Sequence, residues 1–262
     1  MTPEQFRRRL IMRGNLDMDS GYAIITTNSN SSAGTLRICG DSFNISQIAS
    51  VILDGVSVTV SRTLSCGAGQ HIVRINYRNL TTCRGMFEGI GKFYENVISI
   101  VSLDISHLDT SMAGMMDSMF NVANVNDIIG IDILDTYKVT DMSNMFEGVI
   151  YPASSLNLSG WGVSRVKSFQ RFLSAAISTA NTLEKVDMTG WDMSKATDMS
   201  YMFELQYALK EVIMTGPTNP NADVTDMFAN ITTSGTFYYN PAYDYSHIIA
   251  QLPSTWTAVS IS

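Results

Sequence analysis

The residues that could do chemistry form no recognisable catalytic or zinc-binding pattern. The chain has three histidines and three cysteines, and none of their spacings matches a metal site. They are His71, His107, His247, Cys39, Cys66 and Cys83. The glycine-rich run at 85–91 lacks the lysine-serine pair of a phosphate-binding loop, and no Gly-x-Ser-x-Gly element occurs. We therefore expect a protein that is not an enzyme and that holds no metal and no cofactor.

Polar side chains recur at one position of successive predicted strands. They are Asp104, Asp132, Asn157 and Asp187. Stacked strands would place them about 5 Å apart, where like charges repel by roughly 1 kcal/mol in water. We interpret the row as facing solvent, with Ca²⁺ binding as the open alternative. A second set, Asp141, Asp198 and Asp226, begins predicted helical turns, where the helix dipole stabilises a carboxylate.

The elements that would position these residues come from an internal repeat. The octet Val-Thr-Asp-Met-Ser-Asn-Met-Phe at 139–146 recurs at 196–203, with weaker copies at 113–120, 166–173 and 224–228. Counting an earlier Met-Phe pair as well, successive copies end 25 to 33 residues apart. This spacing falls around the period of leucine-rich-type repeats with insertions.

Each repeat is predicted to contain one short helix and one short strand. Met142, Met145 and Phe146 follow the i, i+3, i+4 spacing of one helix face, and apolar and polar residues alternate in the strands. The predicted strands are 101–106, 129–134, 154–159, 184–189, 211–215 and 236–240. Each buried Met or Phe would contribute roughly 1.5 to 3 kcal/mol. The predicted repeat core is Met86, Phe87, Met119, Phe120, Met145, Phe146, Phe172, Met202, Phe203, Met227 and Phe228.

These patterns predict an α/β fold class. The architecture is a leucine-rich-repeat-type solenoid with one short strand and one short helix per repeat, preceded by a small antiparallel β domain. The predicted parts are a basic N-terminal helix at 1–14, the β-rich domain at 15–78, the solenoid at 79–234 and a C-terminal cap at 235–262. Within the β domain, Asp54-Gly55 lies between two β-branched runs and predicts a hairpin.

Composition and charge limit the classes of partner. The chain has 17 basic and 24 acidic residues, a net charge of -7, so we do not expect it to bind nucleic acid. No apolar run is long enough to span a membrane, and no signal peptide is visible. The charge is divided along the chain: residues 1–91 carry nine arginines and six acids, net +3, whereas residues 92–262 are net -10.

The octets VTDMSNMF and ATDMSYMF, with the segments LDIS and KVDMTGWDMS, resemble the BspA-like leucine-rich repeat surface proteins of gut and oral bacteria. The likeness covers roughly residues 80–240, and residues 50–77 are similar to small β segments that precede such repeats. The copy at 166–173 departs from the pattern, with Phe169 in place of Met and Leu173 in place of Phe. The resemblance implies a cell-surface or extracellular solenoid used for adhesion to host or neighbouring cells.

We therefore expect a non-catalytic, adhesin-like binding module that recognises a protein or glycan through the strand face of its solenoid. The candidate binding residues are Asp104, Asp132, Asn157, Lys185, Asp187, Glu211, Ile213 and Tyr238. The alternative is a structural subunit of a larger assembly, such as a phage or secretion appendage, which the basic N-terminal helix suggests. A hydrolase would require paired carboxylates about 5 to 9.5 Å apart in a cleft. Oligomeric state and cysteine pairing stay open.

Overall fold

The computed structural model describes residues 19–28, 32–91, 98–149, 153–175 and 182–261. These residues are almost all β and form a β-solenoid of about six turns. The only α-helix among them is α1, Ser246–Ile249. The predicted α/β class with a helix in every repeat is therefore wrong. The predicted basic helix at 1–14 lies outside the described residues.

Thirteen strands and two 3-10 helices make up the rest of the regular structure of the described residues. The strands are β1 Asp19–Thr27, β2 Gly34–Arg37, β3 Ile48–Leu53, β4 Val56–Val58, β5 Thr63–Cys66, β6 Ile72–Arg78, β7 Ile100–Leu108, β8 Ile128–Ile129, β9 Ser155–Asn157, β10 Lys185–Met188, β11 Glu211–Met214, β12 Gly235–Tyr239 and β13 Trp256–Ser260. The 3-10 helices are Ile45–Gln47 and Ile131–Ile133. No helix in the described part of the chain is long and apolar enough to span a membrane.

A six-stranded sheet joins the N-terminal β segment to the first coil of the solenoid. Its strand order is β4-β3-β6-β1-β7-β8, and all its pairs are antiparallel except β7 with β8. Because β7 belongs to the repeats, this sheet crosses the predicted boundary between residues 78 and 79. Strands β2 and β5 form a separate antiparallel pair.

The predicted Asp54-Gly55 hairpin is confirmed. Leu53 pairs with Val56 across a two-residue turn, and both turn residues have positive φ, 50° for Asp54 and 82° for Gly55. Two left-handed residues in succession are the requirement of a type I′ turn, whose twist matches that of the flanking strands. The same Asp-Gly step thus sets the register of β3 and β4.

The later repeats form a five-stranded parallel sheet in the order β13-β12-β11-β10-β9. Leu156, Val186, Val212 and Phe237 are opposite one another on successive strands and are all buried. Period-2 alternation therefore sends one side of each strand into the solenoid and the other side outward. The predicted C-terminal cap at 235–262 contains β12, α1 and β13, and β13 was not predicted from the sequence.

The octets are ladders of turns and not helices. The backbone N–H groups of Met142, Asn144 and Phe146 donate to carbonyls of the next coil at 3.0, 2.8 and 2.9 Å. Those acceptors belong to Ser168, Gln170 and Phe172. Within the octet, the Met145 N–H donates to Met142, three residues back. An α-helix would instead direct every N–H to the carbonyl four residues back.

Positive φ at one octet position explains why the chain does not continue as a helix. These residues are Gly85, Ser118, Asn144, Arg171, Tyr201 and Asp226, with φ between 53° and 59°. A left-handed residue ends a right-handed turn, and it costs a residue with a side chain roughly 1 to 2 kcal/mol. The inter-coil hydrogen bonds keep these residues in that conformation.

The eleven repeat-core side chains fill the interior of the solenoid, and none is more than 2% exposed. The rings of Phe120 and Phe146 stack with centroids 5.2 Å apart, and Phe203 and Phe228 do the same at 5.2 Å. Trp161 and Trp191 form a second internal stack at 6.2 Å. Each coil is therefore closed by aromatic contacts with its neighbours.

Candidate functional site

The strand face is defined here as the outward side of β9 to β13. It carries two rows of side chains, each with one residue per strand. The first row is Ser155, Lys185, Glu211, Thr236 and Thr257, and the second is Asn157, Asp187, Ile213, Tyr238 and Val259. Paired strands lie about 4.8 Å apart, so neighbouring members of a row are within side-chain contact.

Charges in the first row are paired with each other. The Lys185 ammonium forms an ion pair with the Glu211 carboxylate across β10 and β11. This hydrogen bond with Glu211 raises the pKa of Lys185. The side chains are 42% and 32% exposed, so the pair adds little to stability but leaves no strong unpaired charge in the row.

The second row changes from polar to apolar along the solenoid. Asn157 and Asp187 begin it, and Ile213, Tyr238 and Val259 continue it as a stripe of apolar and aromatic side chains. Val259 is 37% exposed, while Ile213 and Tyr238 are partly exposed. The stripe is an apolar surface that lies beside the ion pair of Lys185 and Glu211.

The polar members of the predicted aspartate row form side-chain turns, at the ends of β9 and β10 for Asn157 and Asp187 and within β7 for Asp104. The Asp187 carboxylate accepts the Thr189 N–H at 2.9 Å and its hydroxyl at 2.6 Å. Asn157 does the same for Ser159, and Asp104 for Ser106. Such turns are a local alternative to strand pairing. The sequence signal for these turns is Asp/Asn-x-Ser/Thr. The interpretation of the row as facing solvent did not use this signal, so the turns were not predicted.

The predicted alignment of Asp132 with Asp104 is wrong. Ile129 stands opposite Asp104 in the β7–β8 pair, and Asp132 lies in the 3-10 helix Ile131–Ile133. Strand β8 ends at Ile129, because the next residue, Gly130, has a φ of 87°. Asp104 itself belongs to the six-stranded sheet, so neither aspartate is on the strand face. No group of three or more His, Cys, Asp or Glu side chains suited to a metal occurs in the described residues.

The second aspartate set also lies in turns. Asp141 accepts the Ser143 N–H at 2.9 Å, and Asp198 accepts the Ser200 N–H at 3.0 Å. Asp226 occupies the left-handed octet position, with φ of 54°. The predicted interaction with a helix dipole is therefore wrong, because no helix begins at these residues.

Comparison with known families places the repeats in a described group. The family model described as "Mycoplasma protein of unknown function, DUF285" matches residues 60–176 and 116–237. The chain belongs to the DUF285 family. The two matches begin 56 residues apart (116 − 60), which is close to two repeat lengths. No curated protein and no solved structure matches the chain.

The cysteines of this DUF285 chain are free and buried. Burial raises the pKa of Cys83 to about 12, and it also raises the pKa of Cys39 and of Cys66. A buried thiol with a raised pKa is a poor nucleophile, since the thiolate is the reactive form. Cys83 therefore acts as a small apolar side chain, while the Cys39 sulfur accepts a hydrogen bond from Arg62 Nη1 at 3.7 Å and the Cys66 thiol donates to the Leu64 carbonyl at 4.0 Å.

The histidines of the DUF285 chain lie far apart in the fold. His107 stacks on Tyr22 with ring centroids 4.4 Å apart. His247 lies in α1, and burial lowers its pKa. His71 Nδ1 is 2.7 Å from Asp54 Oδ2, and its Nε2 is 3.1 Å from the Gly67 carbonyl. The His71 contacts connect the β3–β4 turn to β6.

Asp54→Asn should bring the pKa of His71 down towards its ordinary value near 6.5. The hydrogen bond with Asp54 is the main cause that raises the pKa of His71, and the bond with His71 lowers the pKa of Asp54. Because the folded-state pKa of His71 is raised and that of Asp54 is lowered, this contact stabilises the fold fully between about pH 4 and about pH 6.5; the stabilisation is lost as the pH rises through the folded-state pKa of His71 or falls through that of Asp54. Asparagine preserves an oxygen acceptor and tolerates the left-handed turn.

NMR titration of the histidine ring protons in wild type and variant measures the shift directly. His107 serves as an internal control, since it does not contact Asp54. An unchanged His71 pKa in the variant would show that the Asp54 contact is not formed in solution.

Proposed function

We propose that this DUF285 chain is a non-catalytic binding module whose strand face docks on a protein ligand. The observation that carries the proposal is the stripe of Ile213, Tyr238 and Val259, held in register on adjacent parallel strands. A partly exposed tyrosine between two aliphatic side chains is a suitable anchor for a partner, because aromatic residues contribute a large share of interface energy.

The surroundings of the stripe favour a protein as the ligand. Protein interfaces combine an apolar centre, depleted in charge, with a polar rim. Here the ion pair of Lys185 and Glu211 and the Asp187 turn border the apolar stripe on its polar side. A partner can therefore bury the stripe without desolvating an isolated charge, which would be costly.

The regular hydrogen bonding of the solenoid supports binding through a preformed face. Each strand is hydrogen-bonded to a neighbour, and the inward side chains Val186, Val212 and Phe237 are 0% exposed. A preformed face loses little conformational freedom when a partner binds, so more of the contact energy appears as affinity. Repeat scaffolds present wide binding surfaces in this way.

The resemblance of the octets to BspA-like surface proteins supports the setting of this binding. We propose that the ligand is on host or neighbouring cells and that the chain works at the cell surface or outside the cell in adhesion. This part of the proposal depends on the likeness of the motifs, whereas the choice of the strand face depends on the register of β9 to β13.

A double substitution, Ile213→Ser with Tyr238→Ser, should reduce binding to intact bacterial or animal cells by roughly 30-fold or more. Loss of an anchor residue costs about 2 kcal/mol, which corresponds to a factor of about 30 in affinity. Flow cytometry with fluorescently labelled protein measures the saturable signal. The matched control is Val56→Ser with Ile72→Ser, since these apolar side chains are 66% and 53% exposed in the six-stranded sheet.

The outcomes test two points independently: whether the strand face binds the cells, and whether its ligand is a protein. Wild type and control should bind equally, and protease treatment of the cells should abolish both signals. Equal binding by the face variant, or no saturable binding by the wild type, would overturn the role of the strand face. Loss of binding after glycosidase treatment of the cells, with resistance to protease, would overturn the choice of a protein ligand.

A further inference from the structure

Three basic side chains occupy the same position on three consecutive coils. Lys138, Arg165 and Lys195 each come two residues before a backbone ladder that joins the coils. In that ladder the Lys167 N–H donates to the Thr140 carbonyl at 2.9 Å. The Thr197 N–H donates in turn to the Lys167 carbonyl at 2.8 Å. We call Lys138, Arg165, Lys167 and Lys195 the basic corner.

Side chains in this row reach those of the neighbouring coil. Lys138 Nζ is 3.1 Å from the sulfur of Met112, which holds the equivalent position one coil earlier. Successive coils are about 4.8 Å apart, the spacing of hydrogen-bonded strands. The cations therefore follow one another along the solenoid axis, on the segment that joins each strand to the next octet.

The unpaired positive charge of the repeats is gathered at this corner. Residues 92–262 contain eight basic residues, of which all but Lys92 are described. Three of them are in ion pairs, Arg171 with Glu204, Lys185 with Glu211 and Lys210 with Glu184. The other four are the basic corner; they are exposed and make no ion pair with any residue that the structure describes.

Two aspartates lie beside the corner without pairing with it. Asp135 accepts the Tyr137 N–H at 3.2 Å, and Asp192 accepts the Ser194 N–H at 3.0 Å. The middle coil has Gly162 in the equivalent place, so the acidic row is interrupted next to Arg165. These carboxylates keep free acceptor capacity towards solvent, and they oppose a ligand with closely spaced negative charges.

An exposed aromatic ring completes the surface. Tyr137 is 67% exposed and directly precedes Lys138. A Cβ atom on Gly162 would lie 2.4 Å from Cδ1 of the Tyr137 ring, so the ring lies against the Gly162 backbone of the next coil. The opposite side of the ring is left open to solvent. The tyrosine ring has an apolar face and a polar hydroxyl, so it suits a ligand that has both apolar and polar surfaces.

We propose that the basic corner binds a linear acidic glycan, a polysaccharide that carries carboxylate or sulfate groups. The axial row of cations pairs with charges repeated along the polymer, the Tyr137 ring takes the apolar side of a sugar, and Asp135 and Asp192 accept sugar hydroxyls. A single-stranded nucleic acid fits less well, because it needs a series of stacking rings and a strongly basic groove, whereas this chain has a net charge of -7. The site is separate from the strand face and does not depend on it.

The test uses chondroitin sulfate and hyaluronan as probes, with neutral dextran and a single-stranded DNA oligonucleotide for comparison. The affinity of the whole protein is measured by calorimetry at several salt concentrations. Lys138→Gln, Arg165→Gln and Lys195→Gln together should weaken binding of the acidic glycans by roughly tenfold or more at low salt, and should flatten the dependence on salt. Tyr137→Ala should weaken binding with little change in the salt dependence, since it removes no charge.

The matched control removes the same three charges elsewhere. Arg74→Gln, Arg78→Gln and Lys210→Gln together change the net charge equally, and they should leave the affinity within about twofold, because these exposed side chains lie outside both proposed sites and only the corner contacts the polymer. Thermal melts verify that each variant is folded. Equal loss in both triple variants, absence of binding by the wild type, or tighter binding of the DNA would overturn the proposal. The corner variant should still bind cells through the strand face, so failure of one proposal is distinguishable from failure of the other.

Discussion

Replacing Phe146 with alanine should lower the free energy of unfolding by about 3 to 5 kcal/mol. The side chain is 0% exposed, and its ring lies between those of Phe120 and Phe172, with centroids 5.2 and 5.4 Å away. The backbone on both sides is fixed by inter-coil hydrogen bonds, so the walls of the cavity cannot collapse far. Phe203→Ala should have a similar cost, since its ring stacks on Phe228 in the same way.

Urea denaturation followed by circular dichroism measures both losses. Phe146→Leu is the matched control, because leucine fills most of the same volume and should cost much less. A loss below about 1 kcal/mol for both alanine variants would show that the octet side chains are not core, since buried phenylalanine truncations cost several times more.

Gly21→Ala should cost about 2 to 5 kcal/mol, and it tests the junction between the N-terminal sheet and the first coil. Gly21 pairs with Leu108 where β1 meets β7, and its φ is 78°. A Cβ atom there would be 1.9 Å from the His107 carbonyl oxygen, so the strands would have to separate. The expected cost combines roughly 1 to 2 kcal/mol of left-handed strain with about 1 to 3 kcal/mol of overpacking.

Gly55→Ala is the matched control for this prediction. Its φ is 82°, yet nothing lies within 4 Å of the added Cβ. It should therefore show the backbone strain alone, at roughly 1 to 2 kcal/mol. Equal losses for the two variants in urea denaturation would mean that β1 and β7 do not approach each other as described.

The sequence pattern was sufficient to predict which side chains line the solenoid and which residues of β9 to β12 point outward, but not the position of Asp132. The alternation in β10 and β11 placed Lys185 opposite Glu211 and Asp187 opposite Ile213, as the register shows. Both results depend on the alternation of side chains between the two faces of a strand. This alternation does not depend on the conformation of the rest of the repeat.

The shape of the octet could not be predicted in the same way. The i, i+3, i+4 spacing of Met142, Met145 and Phe146 suits one helix face, but a chain that turns every few residues also returns side chains inward at this spacing. The difference lies in the left-handed residue at each turn. Asn144 is a known signal for that conformation, whereas Arg171 and Tyr201 are not. Long-range hydrogen bonds to the next coil decide the outcome.

Two surface features, the side-chain turns and the basic corner, have sequence signals that become clear only when the repeats are aligned. The Asp/Asn-x-Ser/Thr motif marks the turns that hold Asp187 and Asn157. The basic corner appears when the residue just before each octet is compared, since Lys138, Arg165 and Lys195 all have that place. In contrast, the break at Gly130 that removes Asp132 from the row depends on one left-handed residue.

The most direct test of the turn-ladder solenoid is the detection of hydrogen-bond partners by NMR couplings across the hydrogen bonds of a deuterated sample. The structure predicts couplings from the Asn144 amide nitrogen to the Gln170 carbonyl carbon and from the Phe146 nitrogen to that of Phe172, across N–O distances of 2.8 and 2.9 Å. Couplings from Phe146 to the carbonyl of Met142, four residues back, would instead show a helix in the octet and contradict the fold on which both proposed surfaces depend.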